Sequence, residues 1–197
     1  MGQTRCLTAA MLAVGMRHTA RLRFSREQVA QYCALTGDSN AIHHDLTAAR
    51  LRFPDTPDII VPGGLIQTCI SALFATELPG DGALGLTFAP ERFRRPICPG
   101  EELVVTLEVT RIIRGGIIEV DITVADDRGV RISSAKAKVV APDETYRAWW
   151  EREGPGRAAG SAVASQHAGA PSSQTSWKPD AGQRTPVPGG WKPKPVV

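Results

Sequence analysis

The sequence lacks the features that mark secreted, metal-bound or membrane-spanning proteins. It has only four cysteines, and none of them follows the C-x-x-C spacing of zinc ligands. No run of about 18 apolar residues occurs, which argues against a membrane span. The mildly apolar run 7–16 is short and has no convincing cleavage site, so it does not predict a secretory signal. We therefore expect a cytoplasmic protein with free thiols and no metal site.

An excess of charge of one sign is also missing from most of the chain. The formal net charge of +3 comes entirely from the end of the sequence, because residues 1–150 carry 17 basic and 17 acidic side chains. A neutral globular part gives no reason to expect nucleic acid as a partner.

The end of the chain lacks hydrophobic periodicity. Residues 155–197 are rich in Pro, Gly, Ser and Ala, a composition that buries too little apolar surface to offset the entropy of ordering. We predict a folded domain over 1–150 and a disordered tail over 151–197. Trp177 and Trp191 each begin a Trp-Lys-Pro sequence. They belong either to a low-complexity tail or to a bivalent segment that docks a partner through two aromatic anchors.

The domain itself combines one buried helix with a series of long strands. Residues 65–78 are apolar on most sides and carry no charge before Glu77, which is typical of a buried helix. Alternating strands follow over 83–96 and 103–140, separated by Gly-containing turns. The economical packing is an α+β, single hot-dog domain, with a long antiparallel curved sheet wrapped around the central helix. Its exposed sheet edges favour dimerisation.

The most informative stretch is the polar loop 37–43, which reads Gly-Asp-Ser-Asn-Ala-Ile-His. It places a carboxylate (Asp38), an amide (Asn40) and an imidazole (His43) within six residues. Addition of water to a conjugated thioester needs a base, an acid and stabilisation of the developing enolate oxygen. Asp38 and His43 are suited to hold one water and share the proton transfers, with Asn40 orienting the water or one of the two side chains.

The start of the buried helix suits the third requirement. Pro62 fits a first helical turn, and Gly63 and Gly64 allow an oxygen to approach the backbone closely. Free N–H groups and the helix dipole favour negative charge there. The amide of Gly64 or Leu65 is the candidate oxyanion donor, since proline has no N–H.

Plainer interpretations fit the same residues. Gly-Asp after a helix is a common turn in which Asp and Asn cap their own backbone, and the adjacent His44 competes with His43. The glycine pair fits a tight strand-to-helix turn. Three arginines, Arg92, Arg94 and Arg95, form either a weak site for coenzyme A phosphates or a solvated strand face.

The string Leu-Thr-Gly-Asp-Ser-Asn-Ala-Ile-His over 35–43 resembles the signature of MaoC-like, (R)-specific enoyl-CoA hydratases. Later landmarks agree in order: Val61–Leu65, Leu78–Gly80, Phe93–Pro96 and Pro99–Gly100. The resemblance covers about residues 14–141. It implies a hot-dog fold, reversible hydration of a trans-2-enoyl thioester, Asp38 and His43 as the catalytic pair, and Asn40 as their support. It implies no cofactor beyond the coenzyme A or acyl carrier protein that carries the substrate.

The resemblance also implies homodimers or double hot-dogs, which we expect here as a homodimer or a heterodimer with another hot-dog subunit. Two departures affect the helix start, where Pro62 replaces a common histidine and Gly64 replaces a larger apolar residue. A third, Ala41 for proline, lies in the loop. Two other functions compete with hydration. One is a non-catalytic subunit that binds acyl thioesters or a partner enzyme, and the other is a thioesterase on the same fold.

Overall fold

A computed structural model describes residues 4–154 of the chain. The predicted disorder of 155–197 and the docking role of Trp177 and Trp191 lie outside the described residues. Within 4–154, no helix has the length and apolar character needed to cross a bilayer.

One antiparallel sheet of five strands forms the body of the fold. The strands lie in the order β1-β3-β4-β5-β2. Their bounds are β1 Arg17–Arg23, β2 Leu84–Pro90, β3 Glu102–Ile112, β4 Ile117–Asp126 and β5 Arg131–Val140. The alternation predicted for β3 and β4 is confirmed, because every second residue from Leu103 to Val109 and from Ile118 to Val124 is buried. This alternation places one apolar face of the sheet against the helical layer.

Four α-helices accompany the sheet: α1 Arg26–Thr36, α2 Leu46–Arg52, α3 Gly63–Thr76 and α4 Glu144–Arg152. The central helix α3 buries Leu65, Ile66, Ile70 and Phe74 in the same apolar cluster as the inward side chains of β3, β4 and β5. Full burial of each such side chain contributes roughly 1.5–3 kcal/mol. The predicted α+β hot-dog arrangement is confirmed.

Local signals explain where α1 begins and ends. The Ser25 hydroxyl accepts from the Gln28 amide, and the Gln28 side chain accepts from the Ser25 amide, which together form a capping box. Gly37 closes the helix in the left-handed conformation with φ 73°. The chain therefore leaves α1 at a fixed angle, and the polar loop follows immediately.

Three boundaries differ from the prediction, and the first is that of α3, which runs over Gly63–Thr76 instead of 65–78. The strand expected over 83–96 ends at Pro90, and 91–99 form a loop that the Glu91 and Arg94 amides fasten to the carbonyls of Ser134 and Ile132. The expected strand face for the arginines is therefore wrong, because they lie on this loop. Helix α4 was not predicted and runs two residues past the expected domain boundary at 150. Asp143 caps it by accepting from the Tyr146 amide at 2.7 Å.

Candidate active site

The loop after α1 is shaped by hydrogen bonds from its own side chains. One carboxylate oxygen of Asp38, Oδ1, accepts from the Asn40 backbone amide at 3.1 Å. The side-chain oxygen of Asn40 in turn accepts from the Ile42 amide at 3.4 Å and caps the short 3₁₀ turn Ala41–His43. Asn40 thus orients Asp38 through its backbone and carries the turn that presents His43. Asp38 and Asn40 therefore form the capping turn and also position the functional groups, so the two interpretations of this loop are compatible.

His43 is held in one tautomer by the strand-like segment before α3. Its ring is 8 % exposed, and Nδ1 lies 2.7 Å from the Ile60 carbonyl oxygen. A carbonyl only accepts, so Nδ1 carries the proton and the Nε2 lone pair is free in the neutral ring. The Ile60 amide donates back to the Ile42 carbonyl at 2.9 Å. The loop 37–43 is thereby fastened directly to the segment that leads into the central helix.

The free nitrogen of His43 faces the carboxylate of Asp38. Nε2 and Oδ2 are 3.7 Å apart, and the Asp38 side chain is 33 % exposed. This separation is too long for a direct hydrogen bond, and one water oxygen about 2.8 Å from each atom fits beside the pair. The arrangement can hold a water between a base and a carboxylate at a partly open surface.

His44 points elsewhere, although it is adjacent in sequence. Its Nε2 lies 3.0 Å from the backbone carbonyl oxygen of Asp38, and the residue is exposed. Only the His43 ring is directed at the carboxylate. The geometry therefore separates the two histidines, which the spacing left equivalent.

The start of α3 leaves two backbone donors open. Among residues 4–154, the Gly63 and Gly64 amides have no hydrogen-bond partner, whereas the Leu65 amide donates to the Pro62 carbonyl at 3.1 Å. Because its N–H is already used, Leu65 is a weaker candidate for the oxyanion donor than the two glycines. Gly64 remains the candidate, with Gly63 beside it.

Two aromatic side chains enclose these glycines, and sequence reasoning did not assign either a role. A Cβ on Gly63 would lie 3.4 Å from the Phe93 ring, and a Cβ on Gly64 would overlap the Tyr32 hydroxyl. The available signal was glycine at 64 in place of a larger apolar residue, but which side chain fills the vacated space depends on packing between α1 and α3. The glycine pair therefore does more than form a turn, because an aromatic ring from another element packs against each position.

The loop 91–99 forms one wall of a cavity of about 540 Å³ that adjoins this helix start. Its lining includes Ile60, Ile66 and Phe93, together with four arginines: Arg52, Arg92, Arg94 and Arg95. Arg95 is engaged by Glu101 at 2.6 Å. In the described part of the chain, Arg92 and Arg94 make no ion pair. Arg52, which the sequence did not single out, places its guanidinium carbon 5.7 Å from the ring centroid of Phe53.

The comparisons with known proteins agree with this geometry. The family model described as MaoC like domain matches residues 10–129. The chain belongs to the MaoC-like domain family. The (R)-specific enoyl-CoA hydratase of Aeromonas caviae is 32 % identical over 106 residues, which span 54 % of this chain and 77 % of that protein. The 3-hydroxybutyryl-CoA dehydratase of Methylorubrum extorquens is 32 % identical over 112 residues, or 56 % and 69 % of the two chains.

A solved structure extends the likeness to three dimensions. The unliganded R-hydratase PhaJ1 of Pseudomonas aeruginosa superimposes with a TM-score of 0.65 at 29 % identity, covering 73 % of this MaoC-like chain and 90 % of that one. The Asp38–His43 loop, α3 and β3 all lie inside the matched residues 10–129. Helix α4 lies beyond them.

Proposed function

We propose that this MaoC-like protein catalyses the reversible hydration of a trans-2-enoyl thioester to a 3-hydroxyacyl thioester. The observation that carries the proposal is the pairing of Asp38 Oδ2 with His43 Nε2 at 3.7 Å, with Nδ1 locked onto the Ile60 carbonyl. This pair is fastened to the segment that opens the central helix. The activities of the two hydratase and dehydratase relatives support the same reaction in either direction.

The proton transfers follow from the tautomer. A water bound beside both groups gives a proton to the Asp38–His43 pair, with the free Nε2 lone pair as the natural acceptor. Its oxygen forms a bond to the β-carbon of the enoyl group, and the electron pair of the double bond moves onto the thioester oxygen. The pair then returns a proton to the α-carbon, so one water is added overall. Asn40 holds Asp38 in place through its backbone amide.

The thioester oxygen is expected to lie at the start of α3. The Gly64 amide, with Gly63 beside it, donates to the oxygen as it becomes an enolate. Pro62 contributes no donor, and its ring fixes the backbone just before the helix. The Ile60 carbonyl connects the two halves of the site, because it binds the His43 ring three residues before Gly63.

The substrate is expected to reach this point through the arginine-lined cavity. Arg92 and Arg94 are exposed and make no ion pair in residues 4–154, so their charges are available to phosphates. Arg52, at the end of α2, lines the same cavity. The proposed phosphate site therefore contains Arg52 in place of Arg95, because Arg95 is paired with Glu101 and Arg52 makes no ion pair in residues 4–154. These three guanidinium groups are suited to the diphosphate of coenzyme A or to the phosphopantetheine of a carrier protein.

The geometry favours hydration over the two competing functions. A subunit that only binds acyl thioesters has no need for a histidine held in one tautomer against a carboxylate. A thioesterase requires a nucleophile or base on α3, where the Thr68 hydroxyl donates to the Gly64 carbonyl at 2.8 Å. Burial raises the pKa of the Cys69 thiol and makes it a poorer nucleophile.

We further propose that two copies of the chain associate along β2. This strand is at the edge of the sheet and presents an unpaired row of backbone groups. Leu84 and Leu86 on it are 65 % and 52 % exposed. Sedimentation of the wild type is expected to give a dimer, and Leu84→Lys a monomer. Leu51→Lys is the control, because Leu51 lies on α2 and is 83 % exposed. A wild type that sediments as a monomer until another hot-dog subunit is added would replace the homodimer with a heterodimer.

A cytoplasmic location is part of the same proposal. All four cysteines are free, and three of them, Cys6, Cys33 and Cys98, are buried. Burial is the main cause of the raised pKa of each thiol, with the Asp38 carboxylate adding to it at Cys33. They act as small apolar side chains, as expected in a reducing compartment.

Loss of enoyl absorbance from crotonyl-CoA tests the reaction. His43→Gln and His44→Gln form a matched pair, because they make the same change at adjacent histidines. His43→Gln and Asp38→Asn are each expected to lower kcat by roughly a hundredfold or more. His44→Gln is expected to change it by less than about threefold. Wild-type protein that leaves crotonyl-CoA and a panel of longer and branched enoyl thioesters untouched would overturn hydration in favour of a binding subunit.

A further inference from the structure

Tyr32 brings a hydroxyl group to the start of the central helix. It lies on α1, is half-buried, and packs against the main apolar cluster. Its hydroxyl occupies the space where a side chain on Gly64 would begin, and the ring carbon Cζ lies 3.3 Å from that ideal Cβ position. A residue larger than glycine at 64 would displace this ring. The departure at position 64 therefore has a structural partner on α1.

The location of the hydroxyl is set by helix geometry. Cα–Cβ bonds in an α-helix tilt toward the N-terminus, so a group at the Cβ position of Gly64 lies on the side of the open N–H groups. Those groups are the Gly63 and Gly64 amides, which have no partner in residues 4–154. The Tyr32 hydroxyl likewise makes no hydrogen bond to any described residue. The hydroxyl and the two amides are thus three unused donors at the start of the same helix.

Backbone amides and phenol hydroxyls both stabilise an oxygen atom that gains negative charge. A phenol is a neutral donor that binds an oxygen with developing negative charge without requiring a counter-ion. Phe93 covers the neighbouring Gly63 and restricts water on that side. The start of α3 is therefore lined by donors on one side and by an apolar ring on the other.

We propose that the Tyr32 hydroxyl is a second hydrogen-bond donor to the thioester oxygen, beside the Gly64 amide, and that residue 64 is glycine to admit it. This inference rests on the proposed hydration reaction for its role in turnover. As the enolate forms, its oxygen accepts from the amide and from the phenol together, and no proton is transferred from tyrosine. Tyr32 is then a catalytic residue that the Asp-Asn-His string does not contain.

Tyr32→Phe removes the hydroxyl and keeps the ring. It is expected to lower kcat on crotonyl-CoA by about a hundredfold, the lower end for loss of one oxyanion donor. Tyr146→Phe is the matched control, because it is the same chemical change at the only other tyrosine. Its hydroxyl donates to Asp81 at the opposite end of α3, so kcat is expected to stay as in the wild type.

A second measurement does not depend on turnover. Butyryl-CoA, isotopically labelled at the thioester carbonyl carbon, cannot be hydrated, and its carbonyl stretch is read by infrared difference spectroscopy when it binds the full-length protein. The wild type and Tyr146→Phe are expected to lower this frequency, and Tyr32→Phe is expected to return it part of the way toward its value in solution. A shift that depends on Tyr32 in a protein without hydratase activity would support the donor and overturn the reaction.

Three results would overturn the proposal while leaving hydration intact. In the first, Tyr32→Phe retains the wild-type kcat and carbonyl frequency. In the second, it raises KM alone, which would make Tyr32 a wall of the pocket. In the third, the wild type hydrates crotonyl-CoA without shifting the butyryl-CoA carbonyl band, so the start of α3 does not bind the thioester oxygen.

Discussion

The two ends of helix α3 are built in opposite ways. At its C-terminal end, the Arg5 and Leu7 amides donate to the carbonyls of Thr76 and Pro79, and the Asp81 amide donates to Arg5. At its N-terminal end, the Gly63 and Gly64 amides have no partner in the described part of the chain. One end is closed by the protein's own backbone, and the other is left open beside the Asp38–His43 pair.

This difference shows how a single helix separates stability from chemistry. Helix α4 strengthens the closed end, where Asp81 accepts from the Tyr146 hydroxyl at 2.8 Å and from the Trp150 indole at 3.1 Å. At the open end, within residues 4–154, Gly63 and Gly64 are approached by the side chains of Phe93 and Tyr32, and their amides have no backbone partner. Substitutions at the closed end should therefore change the free energy of unfolding, and removal of a polar group at the open end should mainly change activity.

The largest effect is expected from Gly80→Ala at the closed end. Gly80 has a φ of 106°, and a Cβ on it would overlap the Arg5 carbonyl oxygen. Backbone strain and this overlap together should lower the free energy of unfolding by about 3 kcal/mol. Urea denaturation measures the change. Gly129→Ala is the control, since its φ is 81° and nothing lies within 4 Å of its Cβ position. Equal losses for both variants would show that the contact with Arg5 contributes nothing.

The sequence predicted the open end better than the closed end. Ser25, Gly37 and the loop 37–43 act through neighbours within a few residues, so their spacing carries the information. The helix start was placed two residues late, because a glycine pair has low helix propensity and only tertiary packing makes it helical.

The closed end was missed for a different reason. Its contacts join residues that are far apart in sequence, such as Asp81 with Tyr146 and Trp150. Helix α4 is nine residues long and lies beside the change in composition, so its periodicity was weak evidence. The Asp143 cap was the available local signal. Tyr32 was likewise visible as a member of one face of α1, but its approach to Gly64 depends on how two helices pack.

The second prediction couples the two residues that meet at the open end. Gly64→Ala places a methyl group against the Tyr32 hydroxyl and should lower the free energy of unfolding by about 2 kcal/mol. In the Tyr32→Phe background the loss should be smaller by about 1 kcal/mol, because the nearest remaining ring atom lies 3.3 Å away. A double-mutant cycle by urea denaturation measures this coupling, and additive losses would contradict the contact.

The third prediction concerns substrate binding beside the open end. Replacing Arg92 and Arg94 together with alanine should raise KM for crotonyl-CoA by about tenfold, because two charges available to phosphates are lost. The effect should shrink at high salt, since exposed charges are screened. A double alanine variant of Arg114 and Arg128, on two hairpin turns, removes the same charge elsewhere and should leave KM unchanged. Equal KM increases in both variants would indicate long-range charge alone.

The smallest effect is expected in the alkaline stability of the closed end. The hydrogen bond to Asp81 is the main cause that raises the pKa of Tyr146 above its ordinary value of 10.0, with burial and the nearby Cys6 thiol adding to it. The folded state therefore holds this proton more tightly than the unfolded state does. The stabilisation is complete below about pH 10 and is lost as the pH rises through the raised pKa.

Tyr146→Phe removes the titrating group, so its free energy of unfolding should fall less steeply than that of the wild type in this range. Asp81→Asn should flatten the slope in the same direction while keeping the tyrosine. Parallel alkaline slopes for wild type and Tyr146→Phe, measured by urea denaturation at a series of pH values, would show that α4 does not close this end through that bond.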